Sequence, residues 1–232
     1  LDWLATEFIR LGWSQKMLIR TIVMSSTYQR SAVATAEQLR LDPGNRFYGR
    51  STRFRLDAER VRDTWLVAAG LLSRKIGGPS VYPLQADTSG VIPTNKVNMR
   101  WPTSKGEDRW RRGLYTYWRR TAPFVAFKAF DASSREVCQV RRERSNTPMQ
   151  ALVGLNDPTA LAAAEALAQR MRTSVGDVRA KLSLGFCACT SRMPTASELD
   201  ALQTAWFAEP EDRAWQRLAI VLLNLDETLC RG

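Results

Sequence analysis

The sequence contains no histidine at all. Without an imidazole this chain by itself holds no Ser-His-Asp or Cys-His nucleophile pair, no zinc site with histidine ligands and no Cys-x-x-Cys-His haem attachment. Lysine is scarce too, at six residues (Lys16, Lys75, Lys96, Lys105, Lys128 and Lys181), so the basic character is carried by arginine. No apolar run approaches the roughly 18 residues of a membrane span, and no signal peptide is visible. The chain opens on Leu1 directly in an amphipathic pattern, as expected of a piece cut from a longer polypeptide. Cysteine is sparse: Cys138, Cys187, Cys189 and Cys230. Cys187 and Cys189 enclose one residue, too short a span for an unstrained disulfide, and no Cys-x-x-Cys pair points to zinc. The four read best as buried small apolar residues, with a distant Cys138–Cys230 pairing open if the protein is exported.

What is present is ordinary globular material. The 232 residues are 44% hydrophobic and 25% charged, enough apolar content for a sizeable core. The net charge of +11 is unevenly placed. Residues 1–146 hold 26 basic and 13 acidic side chains, whereas residues 147–232 hold 8 and 10. We therefore expect an Arg-rich helical lobe, 1–146, containing a long loop at 77–106, continuous with a near-neutral helical lobe, 147–232. Guanidinium groups make forked contacts to carboxylate, phosphate or sulfate, so an anionic partner fits the first lobe; solvated helix faces account for the same composition.

Periodicity and capping signals indicate a mainly α, irregular helical domain with long loops and an Arg-rich segment. Trp3, Leu4, Phe8 and Leu11, then Met17, Leu18, Ile22 and Val23, predict two helices broken at Gly12-Trp13, with Ser14 as N-cap of the second. A helix is predicted from Leu56 to Leu72, ended by Gly77-Gly78-Pro79, and another from Glu107 to Arg120. Thr147-Pro148 opens a short helix, Asp157-Pro158 is an N-cap with an N1 proline, and Thr195-x-x-Glu198 is a capping box. A final helix over 212–229 aligns Trp215, Leu218, Val221, Leu222 and Leu225. Strand signals are weak throughout.

The densest chemistry lies in residues 130–150, where Asp131, Arg135, Glu136, Cys138, Arg141, Arg142 and Arg144 crowd together. Three uses fit this mixture: an ion-pair network that orders the segment, an anion- or cofactor-docking patch, or a thiolate at Cys138 stabilised by guanidinium groups. Arg135, Arg141, Arg142 and Arg144 are the candidate anion- or partner-binding residues, with Glu136 orienting them, and Asp131 and Cys138 the candidate reactive groups. Trp110–Arg120 interleaves aromatics with arginine; on a helix Leu114, Tyr117 and Trp118 would face the core. The arginines between Arg46 and Arg62 alternate with Asp57, Glu59 and Asp63, a weak nucleic-acid signal with no recognition motif beside it, so nucleic acid is not the expected partner.

Several blocks resemble the planctomycete PSD-one domain, a domain of unknown function. These are Arg55-Leu-Asp-Ala-Glu59 with Arg62-Asp63, Lys75-Ile-Gly-Gly-Pro-Ser-Val81, Arg112-x-Leu-Tyr-Thr-Tyr-Trp118, Phe130-Asp-Ala-x-x-Arg-Glu136 and Asn146-Thr-Pro-x-Gln-Ala-Leu152. The resemblance covers essentially the whole chain. It implies an exported or periplasmic protein, C-terminal to a partner domain, often with a cytochrome c module ahead of both and polysaccharide-degrading genes as neighbours. It supplies no activity. The function it suggests is an accessory or interaction domain, with no cofactor in this chain and haem only in an associated cytochrome module. Its expected partners are the N-terminal remainder of the same protein, the cytochrome c module, or an acidic or sulfated polysaccharide. A composite oxidoreductase or hydrolase site shared with that remainder, and polyanion or nucleic-acid binding, are the alternatives.

Overall fold

The computed structural model of the chain describes residues 1–85, 101–120 and 122–231. Half of the predicted 77–106 loop, residues 86–100, therefore lies outside the described residues; its flanks, 77–85 and 101–105, carry no helix. The protein is mainly α, with 11 helices among the described residues and one pair of two-residue strands, β1 (Phe54–Arg55) and β2 (Cys230–Arg231). Two compact units divide the chain: Leu1–Phe54 with Arg231, and Arg55–Cys230.

In the first unit, α1 (Asp2–Arg10) and α2 (Gln15–Val23) break where predicted, and the Ser14 hydroxyl accepts the Met17 N–H at 3.3 Å. α3 (Ala36–Leu41) follows a Thr35–Gln38 capping box. None of these helices buries a residue completely; Phe8 and Trp13 meet edge-on at 5.2 Å.

The second unit holds the core. α4 (Ala58–Ala69) ends earlier than predicted, at Gly70, whose φ of 75° belongs to the left-handed region that side chains disfavour. α5 (Val125–Ala129) is a short helix not among those predicted. α6 (Pro148–Asn156) and α7 (Pro158–Thr173) join at Asp157, whose carboxylate accepts the Thr159 N–H at 2.8 Å and the Ala160 N–H at 3.3 Å. α8 (Val178–Thr190), capped by Asp177, carries both Cys187 and Cys189 and is a helix its sequence did not announce. α9 (Ala196–Phe207), α10 (Glu211–Leu223) and α11 (Asp226–Leu229) complete the unit, so the predicted last helix is two helices interrupted at Asn224-Leu225.

α4, α7 and α10 pack around Trp65, Leu167, Met171 and Leu222, with Phe124 and Phe127 of the α5 region closing one side. On α10, Trp215, Leu218 and Leu222 are buried, but Val221 faces solvent. Burial of such side chains contributes about 1.5–3 kcal/mol each, and the Ala-rich face of α7 lets the neighbouring helices approach closely.

Residues 107–120 differ most from expectation. In place of a helix they form two short 3-10 turns, Gly106–Trp110 and Gly113–Tyr115, with extended backbone between and after them. Ser73 pairs with Arg111 and Val81 with Thr116 in parallel bridges. Leu114 is exposed, and Tyr117 stacks on Tyr82 at 4.8 Å. Tertiary hydrogen bonds supply here what a helical ladder would have supplied.

The Thr195–Glu198 capping box is extended into a clamp: Arg192 makes forked bonds to Glu198 (2.9 and 2.6 Å) and to Glu227 (2.7 and 2.7 Å), joining the ends of α8, α9 and α11. Arg192, and then the Thr195 N–H, hold the Glu198 carboxyl down at about 2, against 4.5 for an ordinary glutamate. A depressed carboxylate stabilises the folded state fully above its unfolded value, and that contribution disappears as pH falls through the folded value. The clamp is therefore expected to hold at neutral pH and to be lost between about pH 4.5 and 2. Carboxyl NMR should place the Glu198 midpoint near the bottom of that window, and Arg192→Ala should return it to the ordinary range. A Glu198 titration unaffected by Arg192→Ala would show that the fork is not made in solution.

Candidate functional site

The site is built outward from the start of α4. Asp57 is its N-cap and Glu59, Arg62 and Asp63 lie in its first two turns; Arg62 and Asp63 hold residues 109–113, Asp57 and Glu59 hold residues 142–144. Arg62 is buried and donates from Nη1 to the Arg111 carbonyl at 2.7 Å and from Nη2 to the Arg109 carbonyl at 2.8 Å. Burial lowers its pKa to about 10, opposed by the charges of Asp63 and Asp157. Asp63 accepts the Gly113 N–H at 2.6 Å. Gly113 lies so close to Glu59 that a Cβ there would sit 2.9 Å from the Glu59 Cβ and 3.0 Å from its backbone.

Arg111 is buried in turn. It donates to the Pro79 carbonyl at 3.0 Å and to the Gly77 carbonyl, and its guanidinium lies 3.8 Å from the Tyr115 ring centroid. The Tyr115 hydroxyl accepts the Gly77 N–H at 2.8 Å. The Arg62-Asp63 and Gly77-Gly78-Pro79 blocks are thus two ends of one hydrogen-bonded construction. Two of the basic lobe's guanidinium groups are consumed by carbonyls and face no ligand.

The segment after α5 forms a strap. Asp131 (φ 58°) and Arg135 (φ 59°) turn the chain through left-handed conformations. Asp131 Oδ2 closes the strap's base by accepting the Ser145 N–H at 2.7 Å, the Ser145 hydroxyl at 2.7 Å and the Gln150 amide at 3.2 Å. Arg142 forks onto Glu59 at 2.7 and 3.0 Å, and Arg144 Nε lies 3.7 Å from Asp57 Oδ1. Burial raises the Glu59 carboxyl, but the Arg142 fork and the nearby guanidinium charges bring it below the ordinary range. Arg135 sits over the Trp118 ring, 4.7 Å from its centroid. Between these anchors Val137, Cys138, Val140 and Arg141 are exposed.

The predicted site residues therefore divide by role. Asp131 is the knot at the base of the strap. Arg142 and Arg144 are tied to α4 by Glu59 and Asp57. Arg135 is held by an aromatic face, and Arg141 extends into solvent without an ion pair among the described residues. The Glu136 carboxylate has no partner among the described residues either, so the groups that orient the arginines are Glu59 and Asp57. Both lie in the sequence block Arg55–Glu59, but nothing local linked that block to residues 142–144.

The hollow where the strap meets residues 55–57, bordered by Arg55, Phe130, Asp131 and Gln150, has no room for a water molecule. All four cysteines are free thiols. Cys138 is exposed on the strap, which corrects the expectation of burial; Cys187 and Cys230 are half-buried. Cys189 alone fits that expectation, and burial pushes its thiol up to about 12. No group of three Cys, Asp or Glu side chains placed to hold a metal ion occurs among the described residues. No helix there is long and apolar enough to cross a membrane.

A family model described as PSD1, a protein of unknown function (DUF1553), matches residues 1–206. No curated protein and no solved structure matches the chain.

Proposed function

We propose, from the premise that this chain belongs to the PSD1 family of proteins of unknown function (DUF1553), that it is an accessory interaction domain docking an anionic partner through its strap. The reading rests on one observation: the strap is anchored at Asp131, Arg142 and Arg144, while Arg141 is presented to solvent and Arg135 is pre-positioned on Trp118. A guanidinium fixed at its base loses less conformational freedom on binding than a free side chain, so the anchors favour docking without making it themselves. The partner we propose is the N-terminal part of the same protein, in an exported assembly that also carries a cytochrome c module.

Contacts between exposed charges are screened over about 10 Å at 0.1 M salt. The test is co-elution of this chain with the separately expressed N-terminal part, at low and at high salt. Co-elution at low salt that high salt abolishes is the expected result, and the pair Arg135→Glu with Arg141→Glu should weaken it at least about tenfold. Salt-independent co-elution, or no effect of the double reversal, would overturn the reading. A sulfated polysaccharide that binds in the partner's absence, and is lost with the same reversal, would transfer the role to that ligand.

A further inference from the structure

We infer that the groove between α7 and α10 is a binding site for a short, neutral oligosaccharide. It is an open depression of about 570 Å³, inside the roughly 300–1,000 Å³ range of small-ligand sites. It shares no residue with the strap, so this inference and the docking role stand or fall separately.

The walls follow from helix geometry. On α7, Glu165, Gln169 and Arg172 fall at i, i+4 and i+7 and form one polar edge. On α10, Asp212 and Gln216 form the facing edge at i and i+4. Between the edges the surface is apolar: Ala162 and Ala166 of α7, Leu71, and the indoles of Trp110 and Trp215. Trp215 is buried and contributes floor, whereas Trp110 is only half-buried and offers ring surface to a ligand. Trp110 is itself held, with the Arg109 guanidinium 5.6 Å from its ring centroid.

Carboxylates and carboxamides facing one another across an apolar floor match the chemistry of a sugar. Adjacent hydroxyls each donate and accept, so Glu165 and Asp212 accept from them while Gln216 does both. The weakly positive C–H face of a pyranose meets the electron-rich face of an indole. Neither Glu165, Asp212 nor Gln216 has a side-chain partner within the described protein, so their hydrogen-bonding capacity is available. The helix dipole accounts for Asp212, in the first turn of α10. It does not account for Glu165, which lies mid-helix in α7.

The charge selects the ligand. Two carboxylates line the groove against one guanidinium, and Arg172 already donates to Gln169. Phosphate, sulfate and uronate groups would meet the Glu165 and Asp212 carboxylates on the two edges, which disfavours nucleotides and sulfated glycans. The groove is open to solvent, so a ligand longer than one ring can extend out of it.

The experiment is isothermal titration of the full chain with cellotetraose, xylotetraose and mannotetraose, and with a chondroitin sulfate tetrasaccharide beside them. We expect at least one neutral probe to bind with a low-millimolar or tighter Kd that changes little with salt, and the sulfated probe not to compete. Trp110→Ala should weaken that binding about tenfold or more, as loss of a stacking face does. Glu165→Gln, on the exposed edge where folding is not at stake, should weaken it severalfold. Absence of binding by all three neutral probes would overturn the inference. So would binding that survives both variants with the circular dichroism of the native chain intact, or tighter, salt-sensitive binding of the sulfated probe.

Discussion

Trp65→Ala is expected to destabilise the protein by about 3–5 kcal/mol, read as a shift of the urea unfolding midpoint at unchanged slope. Trp65 is 1% exposed at the centre of α4, its ring edge-on to Phe130 at 5.9 Å, and its indole N–H donates to the Leu223 carbonyl at 3.1 Å. Alanine would leave a cavity where α4 faces the end of α10, and would strip that carbonyl of its donor. Domains of this size are stable by about 5–15 kcal/mol, so the loss is a large share of the total. Trp65→Phe separates the two effects: most of the ring area stays, the hydrogen bond goes, and about 1 kcal/mol should follow. Phe130 is also the residue from which the strap departs. Trypsin should therefore cleave after Arg141 faster in Trp65→Ala than in the parent chain, under conditions where both are folded. Equal cleavage rates would show that the Asp131 knot and the ion pairs to Asp57 and Glu59 hold the strap without the packing of Trp65 on Phe130.

Arg62→Ala is expected to cost about as much, roughly 3–5 kcal/mol, for an electrostatic reason. The guanidinium is the donor to two carbonyls, of Arg109 and Arg111, and the counter-charge to Asp63 and Asp157. Burial already raises both of those carboxyls, and without Arg62 nothing beside them compensates fully. Arg62→Lys should not rescue the protein, because one ammonium cannot reproduce a planar fork to two oxygens. Arg62→Met replaces the volume and leaves both carbonyls without donors, so it too should stay well below the parent. Chemical unfolding of the three variants checks this. A methionine variant as stable as the parent would mean that packing, and not hydrogen bonding, holds residues 109–113 on α4.

The two residues show what the family blocks are for. Arg62 and Asp63 of α4 hold residues 109–113, and Arg111 and Tyr115 in turn hold residues 77–79, so blocks separated in the chain order backbone that has no helical ladder of its own. Their chemistry resembles a ligand site because buried carbonyls and carboxylates need the same donors that a ligand would.

How much of this is legible beforehand depends on the span of the interaction. Ser14, Asp157-Pro158 and Thr195–Glu198 announce helix starts because a cap bonds to backbone two or three residues away, and that information is entirely local. The mainly α class follows from those caps and from apolar spacing. Residues 107–120 have helical spacing too, yet Gly113 seated against Glu59, and bridges to Ser73 and Val81, outweigh it. Composition alone determined that the N-terminal part of the chain would be rich in guanidinium groups. Only the tertiary structure decided which of them are consumed: Arg62 and Arg111 by carbonyls, Arg142 and Arg144 by carboxylates of α4, leaving Arg141 to solvent. The groove is the extreme case, assembled from Leu71, Trp110, α7 and α10, because a concave surface is a relation between elements and no single stretch of sequence contains it.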